Sequence, residues 1–229
     1  MPLALYDAIA DWYAEWVTEG AGSAYARRVT ETLSRLLPAA PAVDNCCLDV
    51  CCGTGAHGRT LRSLGWNPVG VDLSPGQLRH GRTVMPVAVG DATALPIRSN
   101  ALPAAVCVLA HSDLPDYPAV LREIARVLRP GGHFVHIGIH PCFTGAFSDR
   151  SDPGRIIIDD SYDRTERRFE SFTTQGVRNR IGAWHVPMAA MLNAVIGAGL
   201  HLVETVEVGG ENQVPDAFAL AAVKPRSQR

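Results

Sequence analysis

Residues 48–58 read LDVCCGTGAHG, and this stretch decides the fold. The short, largely apolar run Cys46–Val50 passes straight into glycines. That pattern is a buried β-strand delivered into a tight turn and then into a helix N-terminus. Gly53 and Gly55 open the backbone to positive φ and let a ligand approach the main-chain N–H groups. Alone, a glycine-containing βα turn is a weak signal. Gly53, Gly55 and Gly58 also meet the bare G-x-G-x-x-G pattern of a dinucleotide loop, so the pattern cannot choose a cofactor.

Working outward adds context. A second apolar run, Pro68–Val71, ends at Asp72, where a carboxylate accepts hydrogen bonds from ribose hydroxyls. SPGQLRHGR follows as a turn and helix. Val84–Val89 is a third strand ending at Asp91, which is placed to meet a purine edge. Ala104–Ala110 is a fourth strand, Tyr117–Leu128 a helix, and RPGG a turn opening the strand His133–Ile139. Upstream, residues 5–17 and 22–37 read as helices, the second ending at Pro38 with Leu33, Leu36 and Leu37 on one face. Short apolar strands alternating with helices predict a parallel sheet built from right-handed crossovers.

Residues 140–183 break the rhythm. They are rich in Asp, Arg, Ser and Thr, and a strand pair is expected at Arg155–Ile158 and Arg167–Thr173. Regular order returns with a helix at Pro187–Ala198 and strands at Leu200–Glu207 and Ala217–Val223. An insertion in the second half of such a sheet is a common place for substrate contacts.

Composition narrows the class. The 229 residues are 47% hydrophobic and 19% charged, the balance of a globular chain rather than a disordered one. Lys and Arg number 21 against 23 Asp and Glu, which lacks the basic footprint of nucleic-acid binding. The opening MPLALYDAIADWYAEW carries acids and no early Lys or Arg, unlike a secretory signal. No apolar run is long enough to span a bilayer. The cysteines Cys46, Cys47, Cys51 and Cys52 crowd into CCLDVCC, with Cys107 and Cys142 elsewhere. Neighbours on an extended segment make poor disulfide partners, and their alternation suits small core residues better than zinc ligands. A reduced, cytoplasmic setting is expected, with no metal, nucleic acid or membrane partner. The oligomeric state is left open.

LDVCCGTG, GVDLSPGQL, VGDATALPI and LREIARVLRPGG follow one another as in class I S-adenosylmethionine-dependent methyltransferases. The chain most resembles the small-molecule, ubiquinone-biosynthesis-like branch, and YDAIADWYAEW resembles that branch's opening helix. The likeness covers about residues 5–140 well, and NAVIGAGLHLVE and AFALAAVK more loosely. It implies S-adenosylmethionine as cofactor. Asp49 and the backbone of Cys51, Gly53, Thr54 and Gly55 would hold the methionine moiety, although Cys51 stands where the family commonly has its first glycine. Asp72 would grip the ribose, with Leu73 beside the adenine and Asp91 and Ala92 at its edge. Leu109 and Ala110, with His111, would line the site beside the sulfonium.

The expected architecture is one α/β domain over residues 1–229: a Rossmann-like, seven-stranded, mostly parallel sheet with helices on both faces. Residues 1–40 would form an N-terminal helical lid and 141–183 an insertion after strand five, on the substrate side. The expected reaction is methyl transfer to an O or N atom of a small-molecule acceptor, by in-line displacement. The cofactor is already activated, so positioning supplies much of the rate, and a base is needed only where the acceptor arrives protonated. His111 and His140, at the ends of two strands, are the catalytic candidates, with Asp113 and His185 behind them. A loop-end histidine equally well caps a turn.

Tyr6, Trp12, Tyr13 and Trp16 either pack the first helix or form a lid whose Tyr13 ring faces the sulfonium. Phe143, Phe147, Tyr162, Phe172 and Trp184 either wall an acceptor or pack the insertion. Arg164, Arg167, Arg168, Arg178 and Arg180 read as a solvated face, with an acidic substrate as the alternative. Three other functions stay open. One is elimination or cyclisation with the same cofactor. Another is a nicotinamide-dependent oxidoreductase, which would lack a Tyr-x-x-x-Lys pair because Lys224 is the only lysine. The last is a binding module without turnover.

Overall fold

The computed structural model describes residues 4–20, 23–152, 155–170, 176–211 and 213–226. The main sheet contains β1 (Cys46–Val50), β2 (Asn67–Asp72), β3 (Val87–Val89), β4 (Leu102–Val108), β5 (Leu128–Ile139), β8 (His201–Val208) and β9 (Ala217–Val223). A separate two-stranded ribbon pairs β6 (Ser148–Asp149) with β7 (Ile157–Ile158). The order in the main sheet is β3-β2-β1-β4-β5-β9-β8. The first five strands are parallel, and β9 and β8 then alternate antiparallel. The seven-stranded, mostly parallel α/β architecture expected from the sequence is the one observed.

The helices are α1 (Ala10–Gly20, preceded by a 3-10 turn Leu5–Ile9), α2 (Ala24–Leu36), α3 (Gly58–Ser63), α4 (Pro75–Gly81), α5 (Tyr117–Val127), α6 (Val177–Ile181) and α7 (Met188–Gly197). Every residue of the central strand β4 is buried, as both-face coverage requires. Alternation sends Ala105 and Cys107 into one apolar layer with α5 and α7, and Ala104 and Val106 into the other with α2. The crowded cysteines follow the same rule. Cys47 is buried in the α2 layer, while Cys46 and Cys51 pack against the opposite one.

Two local expectations are corrected. The third strand begins at Val87 rather than Val84, because the N–H groups of Val84 and Met85 donate back to the Gly81 carbonyl and prolong the end of α4. The strand pair within the insertion is also different. Ile157–Ile158 pairs with Ser148–Asp149 upstream, and Arg168 bridges to Ala183. The Asp159 carboxylate accepts from the N–H and hydroxyl of Ser161 and turns the chain just past β7. Phe172 and Thr173 lie outside the described residues.

Candidate active site

The glycine loop leaves β1 with Cys51 at φ +59°, Gly53 at +50° and Gly55 at +76°. The Cys52 N–H donates to the Val71 carbonyl at 3.2 Å and ties the loop to β2. The free Cys51 thiol lies beside that of Cys107 in β4, and this neighbour, with burial, pushes it up. The neighbouring strand β4 also ends in a left-handed residue, Leu109 at φ +58°. Two adjacent strands thus end in conformations that non-glycine residues rarely adopt, a form of strain that concentrates at functional sites.

Asp72 knits this edge together. Its Oδ2 accepts from the Gly53 N–H and its Oδ1 from the Ser74 N–H, each at 2.8 Å. Burial pushes its carboxyl above the usual range, and those two N–H groups oppose the shift. Asp49 is buried in β1, and its Oδ2 has no hydrogen-bond partner. Burial, and then the nearby charge of Asp72, pushes Asp49 up to about 7. Gln77 of α4 is buried with both amide atoms unpartnered, its Oε1 3.5 Å from where a Cβ on Gly53 would stand. Sequence reading did not find Gln77, since a lone polar residue on a short helix carries no signal. At the end of β3, Asp91 Oδ1 accepts from the Thr93 N–H and hydroxyl, beside buried Ala92.

The N-terminal segment lies across this edge. The Tyr6 hydroxyl donates to Asp113 Oδ2 at 3.2 Å. Asp7 Oδ1 accepts from the Ser74 hydroxyl at 2.5 Å and from the Gly76 N–H at 2.8 Å, at the start of α4. Tyr13 packs edge-on to Tyr6, ring centres 5.0 Å apart. Burial pushes its hydroxyl up to about 12, with Asp113 and Asp72 adding to the shift, so Tyr13 sits in the field of both carboxylates.

Arg178 departs from the sequence expectation. It is buried rather than on a solvated face, because its N–H groups bond to the Asp113 carboxylate, the Ser112 hydroxyl and the Gly182 carbonyl. Asp113 and Ser112 arrive from the loop after β4, 65 and 66 positions away, while Gly182 closes the end of α6. Arg180 instead covers the Trp12 ring at 4.3 Å.

On the insertion side lies a cleft lined by His111, Thr144, Phe147, Ser161, Trp184 and His185, among others. Burial holds His111 neutral, helped by repulsion from His136, Arg178 and His185. Burial likewise lowers His185 to about 4, and its ring packs 4.5 Å from Phe147 and 5.1 Å from Tyr162. Arg168 donates to the Ser161 hydroxyl at 2.6 Å, and Arg167 stacks over Phe169 and Trp184. The structure does not bring His140 to His111. The His140 Nδ1 accepts from the Cys142 N–H at 3.1 Å and its Nε2 faces Glu207 at 3.3 Å, so both ring nitrogens brace the end of β5.

Residues 48–136 match the family described as "Methyltransferase domain". The demethylmenaquinone methyltransferase of Corynebacterium kroppenstedtii is 40% identical over 86 residues, covering 37% of this chain and 38% of that protein. The phthiotriol/phenolphthiotriol dimycocerosates methyltransferase of Mycobacterium leprae is 32% identical over 103 residues, covering 41% of this chain and 37% of that one. The chain thus spans about two fifths of the length of these curated relatives. The crystal structure of an S-adenosylmethionine dependent methyltransferase from Mesorhizobium loti matches with a TM-score of 0.70 at 21% identity, covering 84% of this chain and 96% of that one. That last likeness establishes the fold.

Proposed function

We propose that this protein, whose residues 48–136 match the methyltransferase-domain family, is an enzyme that transfers a methyl group from S-adenosylmethionine to an O or N atom of a small molecule. The observation that carries this reading is the set of unmet polar groups around the glycine loop. Asp49 Oδ2 and the Gln77 amide are buried without partners, a costly state unless a ligand completes them. An ammonium group suits Asp49, and ribose hydroxyls suit the lone pairs that Asp72 has left after Gly53 and Ser74.

In this reading Asp49, with the backbone of Cys51, Gly53, Thr54 and Gly55, holds the methionine moiety. Leu73 and Ala92 flank the adenine, and Asp91 takes its edge. Leu109, Ala110 and His111 border the methyl group. When bound, the cofactor supplies a methyl on a sulfonium, already activated for displacement. The chain's own task is then positioning and exclusion of water. Tyr13, within the field of Asp72, would offer a ring to a cationic centre.

The acceptor would enter the cleft between His111 and the 141–183 insertion, where Phe147, Trp184 and His185 give it an aromatic wall. His111 faces the acceptor, and His140, the other histidine read as catalytic from sequence, serves here to brace β5. The net charge of −2 favours a small molecule over a nucleic acid. Among the described residues no helix is long and apolar enough to cross a membrane. The six free cysteines suit the reduced, cytoplasmic setting proposed for the protein.

Calorimetric titration tests the proposal, with S-adenosylmethionine, its demethylated product and a nicotinamide dinucleotide added separately. Micromolar binding of the first two alone is expected, followed by methyl transfer in an acceptor screen. Binding of the dinucleotide alone would replace the reading with an oxidoreductase.

A further inference from the structure

Behind His111 lie two buried polar side chains with no part in holding a cofactor: His136 of β5, 0% exposed, and Tyr117 at the start of α5, 1% exposed. The Tyr117 hydroxyl is 3.0 Å from His136 Nδ1. Burial holds both the phenol and the imidazole neutral, and in one of the two tautomers this allows, the hydroxyl donates to Nδ1. A neutral imidazole that accepts at Nδ1 carries its own proton at Nε2. That Nε2 has no partner, and neither has His111 Nδ1.

The two orphan nitrogens are neighbours. The rings of His111 and His136 are 5.1 Å apart and inclined at 67°. A Cβ on Gly138 would stand 2.2 Å from His111 Nδ1 and 3.0 Å from His136 Nε2. Both nitrogens therefore crowd the same face of one glycine, and only the missing side chain lets the rings meet there. A hydrogen bond between them would satisfy both, whereas without one two buried polar atoms stay uncompensated side by side.

We propose that His136, held by Tyr117, donates its Nε2 proton to His111 Nδ1 and so fixes His111 as the Nε2–H tautomer, which offers a hydrogen-bond donor to an oxygen of the acceptor. Resting on the proposed transferase reading for what fills the cleft, this assigns His111 to orienting an oxygen-bearing acceptor rather than to taking its proton. His136 and Tyr117 are positioning residues. The other groups facing His111 are the Arg178 guanidinium and His185. A neutral donor beside Arg178 favours an acceptor oxygen that carries partial or full negative charge.

Long-range 15N–1H correlation spectra of the histidine rings test this without any turnover, with His111→Gln used for assignment. The expected result is a single Nε2–H tautomer for His111 in the native protein and in His136→Gln, whose amide keeps a donor. A mixture of tautomers is expected in His136→Leu and in Tyr117→Phe. An Nδ1–H tautomer in the native protein overturns the proposal, as does an unchanged Nε2–H tautomer in both disruptive variants. Tyr117→Phe removes one oxygen and decides the matter if His136→Leu fails to fold. With an acceptor in hand, Tyr117→Phe should raise its KM roughly tenfold with kcat nearly unchanged; an unchanged KM removes the donor role in the cleft. A protein that shows the expected tautomers but transfers no methyl group leaves the relay standing and refutes the transferase reading.

Discussion

Tyr6 donates its hydroxyl to Asp113 across 107 positions of sequence, and the same carboxylate holds the buried guanidinium of Arg178. One acid therefore joins the N-terminal segment, the loop after β4 and helix α6 of the insertion. Tyr6→Phe keeps the ring contact with Tyr13 and removes only the hydroxyl. One lost hydrogen bond of about 1 kcal/mol should weaken cofactor binding several-fold while Tm falls little, as titration and thermal melting would show. Asp113→Ala should be much more severe, because it strands Arg178 without its counter-ion; equal effects from the two variants would refute the shared hub.

Asp72→Ala removes the acceptor for the Gly53 and Ser74 N–H groups as well as the proposed ribose contacts. Cofactor affinity should drop by about 2–4 kcal/mol, and stability should fall measurably in the same variant. Asp72→Asn retains one acceptor oxygen and should lie between. Unchanged affinity in folded Asp72→Ala would remove the ribose from this position.

Gly81→Ala probes the loop from behind. The added Cβ would stand 2.8 Å from the Gly53 carbonyl oxygen, and backbone cannot move aside cheaply. The glycine loop must shift, so cofactor affinity should fall tenfold or more although residue 81 is not assigned any contact with the ligand. Native affinity in this variant would show that the loop tolerates displacement.

Stability should peak near neutral pH. The native Asp49 carboxyl keeps its proton up to about 7, whereas the unfolded one loses it near pH 4. The native state binds the extra proton between these values, so this group's contribution falls as pH rises through that window. His57 and His185, at about 4, and His136, at about 3, act in the opposite direction. They refuse protons that the unfolded chain takes below about pH 6.5, so stability is lost on acidification. The histidines outnumber the carboxyl, so Tm should drop below about pH 6 despite Asp49. Asp49→Asn should raise Tm near pH 8 by removing a buried charge, and should weaken cofactor binding at the same time. Melting curves across this range check both statements.

Local signals were legible wherever physics is local. The β1 strand, the glycine turn, the Ser74 cap of α4 and the alternation of strands with helices each leave a periodicity or a turn residue in the sequence. Asp72 and Asp91 were legible as acids at strand ends, because the carboxyl ends of parallel strands converge on one edge, whereas Asp49 entered only through the family resemblance. The insertion was not legible. Its ribbon partner was misassigned, since short strands without strict alternation carry no register information. The arginines read as solvated because charge alone does not reveal a buried partner, and Arg178 finds its partners in a distant loop.

By itself the sequence determined the parallel α/β sheet, the loop after β1 and the acids at the strand ends, because these follow from spacing along a few residues. Only the tertiary structure decided that Asp49 Oδ2 and the Gln77 amide are left without partners beside that loop, that Asp113 unites Tyr6 with Arg178, and that Gly138 leaves room for the His136 and His111 rings to pack side by side. Those relations join residues far apart in the chain. Whether two such groups meet, and whether water reaches them, is settled by how helices and loops close over the sheet, and no periodicity records it.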